Sequence, residues 1–192
     1  MRLILSTRNA HKVRELAALM APHVVEPLPD DVVLPPEDGT TFAENALGKA
    51  RAAVVATGRP AIADDSGIEA ADLGGAPGVY SARYAGEHAT DEENLAKLLR
   101  EAPGSAVAYV CALAYVDPDG TEHVAEGRCE GVLTDRPRGT RGFGYDPAFV
   151  PADADAAGEA ERTMAELSDS EKAAISHRGR AAEALRAWLA AR

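Results

Sequence analysis

Short apolar runs and helix-period stripes take turns along the chain. Leu3-Ile4-Leu5 is too brief for a helix and reads as a buried strand. Val13, Leu16, Ala17 and Met20 then recur at helical spacing, so residues 3–20 predict strand, loop and helix. Residues 22–36 are rich in proline and acid, with apolar pairs at Val24-Val25 and Val32-Val33; they predict a connection holding one edge strand. From Phe42 to Ala56 the pattern is helical, with Phe42, Ala46, Ala50, Ala53 and Val54 on one face, and Gly58-Arg59-Pro60 stops it. Ala61-Ile62-Ala63 is a second short strand, ending at Asp64-Asp65-Ser66-Gly67.

The pattern continues in the second half. Residues 73–78, Leu-Gly-Gly-Ala-Pro-Gly, predict a rigid loop. Thr90 and Glu93 frame a capping box before a helix carrying Leu95, Leu98 and Leu99. A β-prone run over 106–116, the turn signal Asp117-Pro118-Asp119-Gly120 and a second run through Leu133 predict a hairpin. Residues 151–161 read as an acidic surface loop. Ser168 and Glu171 form another capping box, opening a final helix with Ile175, Ala182, Leu185 and Leu189 on its buried side. With no repeat and no linker, the 192 residues read as a single α/β domain on a mixed sheet.

Charge narrows the partners. With 20 basic and 31 acidic side chains the formal net charge is −11, which disfavours nucleic acid and anionic membranes. No run approaches the roughly 18 apolar residues of a membrane span, and the first residues lack a signal-peptide pattern. Cys111 and Cys129 show no CxxC spacing and stand outside any histidine cluster, so they read as reduced core thiols rather than zinc ligands or a disulfide. A cytoplasmic enzyme or binding protein is the default.

Four segments hold candidate chemistry, each with a plain structural alternative. Residues 6–12, Ser-Thr-Arg-Asn-Ala-His-Lys, join a strand to a helix, where free N–H groups favour an anion and Lys12 adds positive charge; Thr7 or Asn9 could equally cap the helix. The P-loop pattern is absent. Asp64 and Asp65 put two acids at the mouth of an apolar strand, a costly placement unless a hard cation such as Mg²⁺ uses one, or a turn does. In residues 142–147, Gly-Phe-Gly-Tyr-Asp-Pro, the glycines allow close backbone approach, and Phe143 or Tyr145 could stack on a base or fill the core. Lys172 shares a helix face with Ser176 but not with His177 and Arg178, so all can act together only if the helix is interrupted there or a ligand sits over its edge; otherwise Lys172 belongs to a solvated helix start.

Together these segments resemble the dITP/XTP pyrophosphatases, also called inosine triphosphate pyrophosphatases. The matching stretches are residues 7–12, 39–46 (Gly-Thr-Thr-Phe-Ala-Glu-Asn-Ala), 63–67, 73–78, 142–147 and 176–179, in the family's order across nearly the whole chain. The resemblance implies an elongated α/β fold with a central twisted mixed sheet flanked by helices, two lobes with a cleft between them, and a homodimer. It implies Mg²⁺-dependent hydrolysis of deaminated purine nucleoside triphosphates (dITP, ITP, XTP) to monophosphate and pyrophosphate, which cleanses the nucleotide pool.

Carried over by position, Thr7, Arg8, Asn9, Ala10, His11 and Lys12 bind the triphosphate. Asp65 is the catalytic acid–base residue and a metal ligand, and Ser66 touches substrate. Phe143, Gly144, Tyr145 and Asp146 form the nucleotide pocket, completed by Lys172, His177 and Arg178. Many relatives place a metal-binding acid where this chain has Pro36, and Glu37 follows as the substitute ligand. Arg8 stands where many relatives have a small residue, and either adds a phosphate contact or points outward. Donors near His177 and Arg178 suit a 6-oxo purine and are left unpaired by adenine's 6-amino group. Two rivals remain: a pyrophosphatase for modified pyrimidine or methylated nucleotides, and a nucleotide-binding module without catalysis.

Overall fold

Strand β1 (Arg2–Leu5) lies between β2 (Val24–Pro27) and β3 (Ala61–Ala70) and is parallel to both. Leu3, Ile4 and Leu5 are all buried, as a strand covered on both faces requires. Helix α1 (Ala10–Leu19) links β1 to β2, and α2 (Phe42–Thr57) links β2 to β3. Thr41 and Glu44 cap α2 reciprocally, and Gly58 ends it in the left-handed conformation at φ +65°. The computed structural model describes residues 1–153 and 162–192. Residues 154–161, most of the expected acidic loop, lie outside the described residues; Pro151 itself closes a strand.

Helix α3 (Asp91–Glu101) starts at the expected Thr90–Glu93 box. Strands β4 (Ala106–Val116) and β5 (Glu122–Leu133) form the expected hairpin, its turn closed by Asp117 N–H donating to the Thr121 carbonyl at 2.9 Å. The short β6 (Phe149–Pro151) runs antiparallel to β5. Among the described residues the sheet order is β2-β1-β3-β4-β5-β6, a mixed sheet with β2 at one edge, as its prolines suggested.

Two expectations need correction. Strand β3 does not stop before the acidic pair: it spans 10 residues and carries Asp64 and Asp65 in its interior. The backbone stays extended there because both carboxylates find partners, one on each face of the strand. The final helix is in fact two, α4 (Asp169–Ile175) and α5 (His177–Ala190), separated by Ser176, whose ψ of 154° is extended.

By internal contacts the chain forms two compact units, neither continuous in sequence. The first comprises Met1–Asp65, Cys111–Gly127 and Arg178–Arg192; the second, Ser66–Val110 and Arg128–His177. In the first, Leu3, Leu5, Leu16, Ile62, Leu113 and Leu185 make one core, while Ile4, Leu28, Ala53 and Ala61 pack together in another. In the second, Ile68, Leu98, Tyr109, Phe149, Met164 and Leu167 pack together. Each buried Leu, Ile, Phe or Met contributes about 1.5–3 kcal/mol of transfer free energy, which lets each core hold the buried charges described below. Cys111 and Cys129 are free and buried. No helix among the described residues is long and apolar enough to cross a membrane.

Candidate active site

Strand alternation sends neighbouring carboxylates to opposite faces, and in the first unit Asp64 and Asp65 have separate partner sets. Asp64 is fully buried. One oxygen is ion-paired with the Lys12 ammonium, and the other accepts Arg178 Nε–H at 3.0 Å and the Cys111 thiol at 3.2 Å. Arg178 also donates to Glu15 at 2.5 Å. Burial alone raises the Asp64 pKa, but Arg178 and Lys12 outweigh it and hold the carboxyl well below the usual range. The same burial, with Asp64 alongside, pushes the Cys111 thiol up, so it stays protonated as a donor.

Asp65 meets α2. Its Oδ2 accepts Asn45 Nδ2–H at 3.0 Å, and its Oδ1 lies 3.4 Å from Lys49 Nζ. Lys49 Nζ also donates to Glu37 at 2.5 Å, so one buried ammonium bridges two carboxylates. Burial is the main force on Asp65; Lys49 opposes it, Glu37 adds to it, and the net direction is upward. A carboxylate with a raised pKa in a polar cluster suits general-base work. Glu37 and Asp65 supply hard oxygen donors without sulfur or imidazole. Among the described residues no group of three His, Cys, Asp or Glu is arranged to hold a metal. The pair fits Mg²⁺, which takes one or two carboxylates and fills its shell with phosphate oxygens and water.

Residues 7–12 largely realise the capping alternative. Asn9 Oδ1 accepts the N–H groups of His11 and Lys12 at 2.9 and 3.2 Å, and Thr7 Oγ1 accepts Asn9 N–H at 3.2 Å. Ala10 opens α1, and the His11 ring meets Arg14 at 2.8 Å. Lys12 is not a loose solvated charge; it is anchored on Asp64. Arg8 is exposed, yet its guanidinium is engaged by its own chain rather than left to solvent. Its guanidinium donates to the carbonyls of Leu28, Pro29 and Val32 at 2.7–2.9 Å and of Asp30 at 3.3 Å, so it ties down the segment after β2.

The second cluster lies in the second unit around Asp146, a buried carboxylate. Its Oδ2 accepts Lys172 Nζ–H at 2.7 Å and Phe143 N–H at 2.9 Å; its Oδ1 accepts the Tyr109 hydroxyl at 3.1 Å. Gly142 makes this turn possible. Its φ is +74°, and an added Cβ would fall 2.0 Å from Asp146 Oδ2. Phe143 is half-buried with the Lys172 ammonium 5.2 Å from its ring centroid. Lys172 is itself buried, so the solvated helix start does not hold. The break at Ser176 meets the condition set by the helix spacing: it frees His177 and Arg178 from the register of Lys172. The His177 ring stacks on Tyr109, centroids 4.7 Å apart.

Tyr145 and Gly144 differ from expectation. The Tyr145 ring is buried in the unit's core and its hydroxyl donates to the Ser81 carbonyl at 2.7 Å, so of the two aromatics Tyr145 is a core residue and Phe143 is not. Gly144 N–H is engaged by Asp91 at 2.8 Å. Ser66 follows Asp65 in β3, half-buried. Four residues of the clusters were not anticipated, Glu15 on α1 among them. Asn45 and Lys49 sit at helical spacing inside the apolar stripe of α2, and a polar residue at a core position was the available signal. Tyr109 looked like one more β-former in a strand, with nothing to distinguish it.

Residues 3–188 match the sequence model of the Ham1 family. The chain belongs to that family. It is 50% identical to the dITP/XTP pyrophosphatase of Streptomyces coelicolor, over 96% of this chain and 94% of that protein. It is 47% identical to the dITP/XTP pyrophosphatase of Geobacter sulfurreducens, over 98% and 96%. Among solved structures, a HAM1 protein from Coxiella burnetii superposes with a TM-score of 0.87 at 38% identity, all of both chains being covered. The Ham1 fold therefore extends to this chain, mixed sheet and flanking helices included.

Proposed function

We propose that this Ham1-family chain hydrolyses deaminated purine nucleoside triphosphates (dITP, ITP and XTP) to the monophosphate and pyrophosphate, with Mg²⁺. The observation that carries the reading is the division of labour within the acidic pair. Asp64 is held ionised by two cations and serves as their anchor, whereas Asp65 has a raised proton affinity beside Lys49 and Glu37. The named activity of the Streptomyces and Geobacter relatives supports it.

The reaction adds water to the α-phosphorus and breaks the bond from that phosphorus to the bridging oxygen, so pyrophosphate leaves. Asp65 orients the water and takes its proton, and Asn45 fixes the carboxylate's rotation. Lys12 and Lys49 set positive charge against the growing charge on phosphate oxygens, in a chain whose net charge of −11 would otherwise repel the substrate. Asp65 and Glu37 would hold Mg²⁺, which when bound neutralises phosphate charge and acidifies water. Phe143 offers a ring to the base. His177 offers a donor to its 6-oxo group, and adenine would leave that donor unpaired at about 1–3 kcal/mol; Arg178, expected beside it, is instead bound to Asp64 and Glu15 in the first unit. The reading includes a cytoplasmic homodimer, which light scattering on the purified protein would check.

The test is a panel of nucleoside triphosphates with and without Mg²⁺, scored for monophosphate and pyrophosphate. ITP, dITP and XTP should yield both products, and EDTA should stop turnover while leaving the circular dichroism unchanged. Preference for pyrimidine triphosphates would replace the substrate class. Thermal stabilisation by ITP without pyrophosphate release would make the chain a binding module.

A further inference from the structure

Tyr109, on β4, is the one member of the Asp146 cluster that no motif contains. Its ring lies between Phe149, at 4.4 Å and 22°, and His177, at 4.7 Å and 17°. Its hydroxyl reaches Asp146 Oδ1 at 3.1 Å, while the other Asp146 oxygen holds Lys172 and the Phe143 backbone. One side chain thus joins the Phe143 loop to the helix break that carries His177. All these residues belong to the second unit.

We propose that Tyr109 is a specificity-determining positioning residue: its hydroxyl fixes Asp146, and with it Phe143 and Lys172, while its ring face fixes the plane of the His177 imidazole. This deepens the proposed function and rests on it. Imidazole N–H groups donate in the ring plane. A ring free to tilt away from its stack would aim its donor out of that plane, so a clamped plane is what allows a 6-oxo group to be told from a 6-amino group. The hydroxyl acts on a different property. Without it, Asp146 loses the donor on Oδ1 and can rotate, and Phe143 and Lys172 lose a common fixed acceptor.

Two variants separate these roles. Tyr109→Phe keeps the ring and deletes the hydroxyl; Tyr109→Leu keeps apolar volume and deletes the stack. Each is measured for pyrophosphate release from ITP and ATP, for calorimetric binding of IMP, and for thermal unfolding. Y109F should raise KM for ITP and weaken IMP binding roughly tenfold, the worth of one hydrogen bond to a charged group, with kcat within about threefold. Y109L should also narrow the ITP-over-ATP ratio of kcat/KM by about tenfold. A tyrosine that only fills the core predicts lower melting temperatures with unchanged KM, IMP affinity and base ratio in the folded variants, and that pattern overturns the proposal. If the wild-type chain releases no pyrophosphate from ITP, the proposed function fails, and the IMP-binding comparison still decides the hydroxyl's role. If the wild type does not bind IMP either, both fall.

Discussion

Replacing Asp64 by Asn tests whether a buried charge, rather than shape, holds the first cluster together. The side chain keeps its volume, so no cavity is made. Its carboxylate now serves Lys12, Arg178 and Cys111. The amide has one acceptor oxygen, and its NH₂ must face one of those donors. The Arg178 side chain is 2% exposed and that of Lys12 14%, so neither cation recovers full hydration. Breaking a buried pair by removing one charge costs about 3–5 kcal/mol. Glu15 stays on Arg178 and the Lys12 side chain is 14% exposed, so the lower end applies, about 3 kcal/mol. With a melting shift of roughly 2–4 °C per kcal/mol for a chain this long, D64N should melt about 6–12 °C lower at pH 7. A carboxyl held below its unfolded value stabilises fully above that value and loses the contribution as pH falls through it toward the folded one. The gap between wild type and D64N should therefore narrow by about 1 kcal/mol between pH 7 and pH 3, the unfolded Asp titrating near 3.9. Urea unfolding followed by circular dichroism at several pH values measures both. A cost under about 1 kcal/mol, or a gap that ignores pH, would refute the reasoning.

The other perturbations are read by pyrophosphate release and melting temperature together. Asp65→Asn should cut kcat by about 10²–10⁴, with melting shifted far less than in D64N; near-wild-type turnover would remove Asp65 from the chemistry. Lys49→Met removes the cation that opposes the upward push on Asp65, so the acid limb of the pH–rate profile should move to higher pH; an unmoved limb would mean Lys49 does not set the base. Gly142→Ala puts a methyl 2.0 Å from Asp146 Oδ2 and should raise KM for ITP severalfold while costing at least about 1 kcal/mol of stability; unchanged KM would detach Asp146 from binding. Arg8→Ala should lower stability by about 1–2 kcal/mol through the lost carbonyl contacts with KM within about twofold; a tenfold KM rise would restore the phosphate contact.

What the sequence made legible, and what it hid, follows from the range of the forces involved. Capping boxes at Thr90 and Ser168 are local, set by residues three apart, and the structure shows both. The break at Ser176 is not local. Ser168 to Leu189 carries a continuous helical pattern, and the interruption is seen only with Lys172 drawn to Asp146 on one side and Arg178 to Asp64 and Glu15 on the other. Strand β3 shows the same thing in reverse. Two adjacent acids look like the end of an apolar strand because burying them alone is prohibitive. They sit mid-strand because cations from α1, α2 and α5, far away in the chain, meet them there. The polar residues inside the α2 stripe belong to the same account: Asn45 and Lys49 occupy positions where leucine or alanine would pack better. A lysine held 5% exposed between two carboxylates is weak support for stability. Its place on the core face of a helix is better explained by the carboxylate it faces, and that inference can be drawn from a helical stripe alone whenever a charged residue interrupts it opposite an acidic strand.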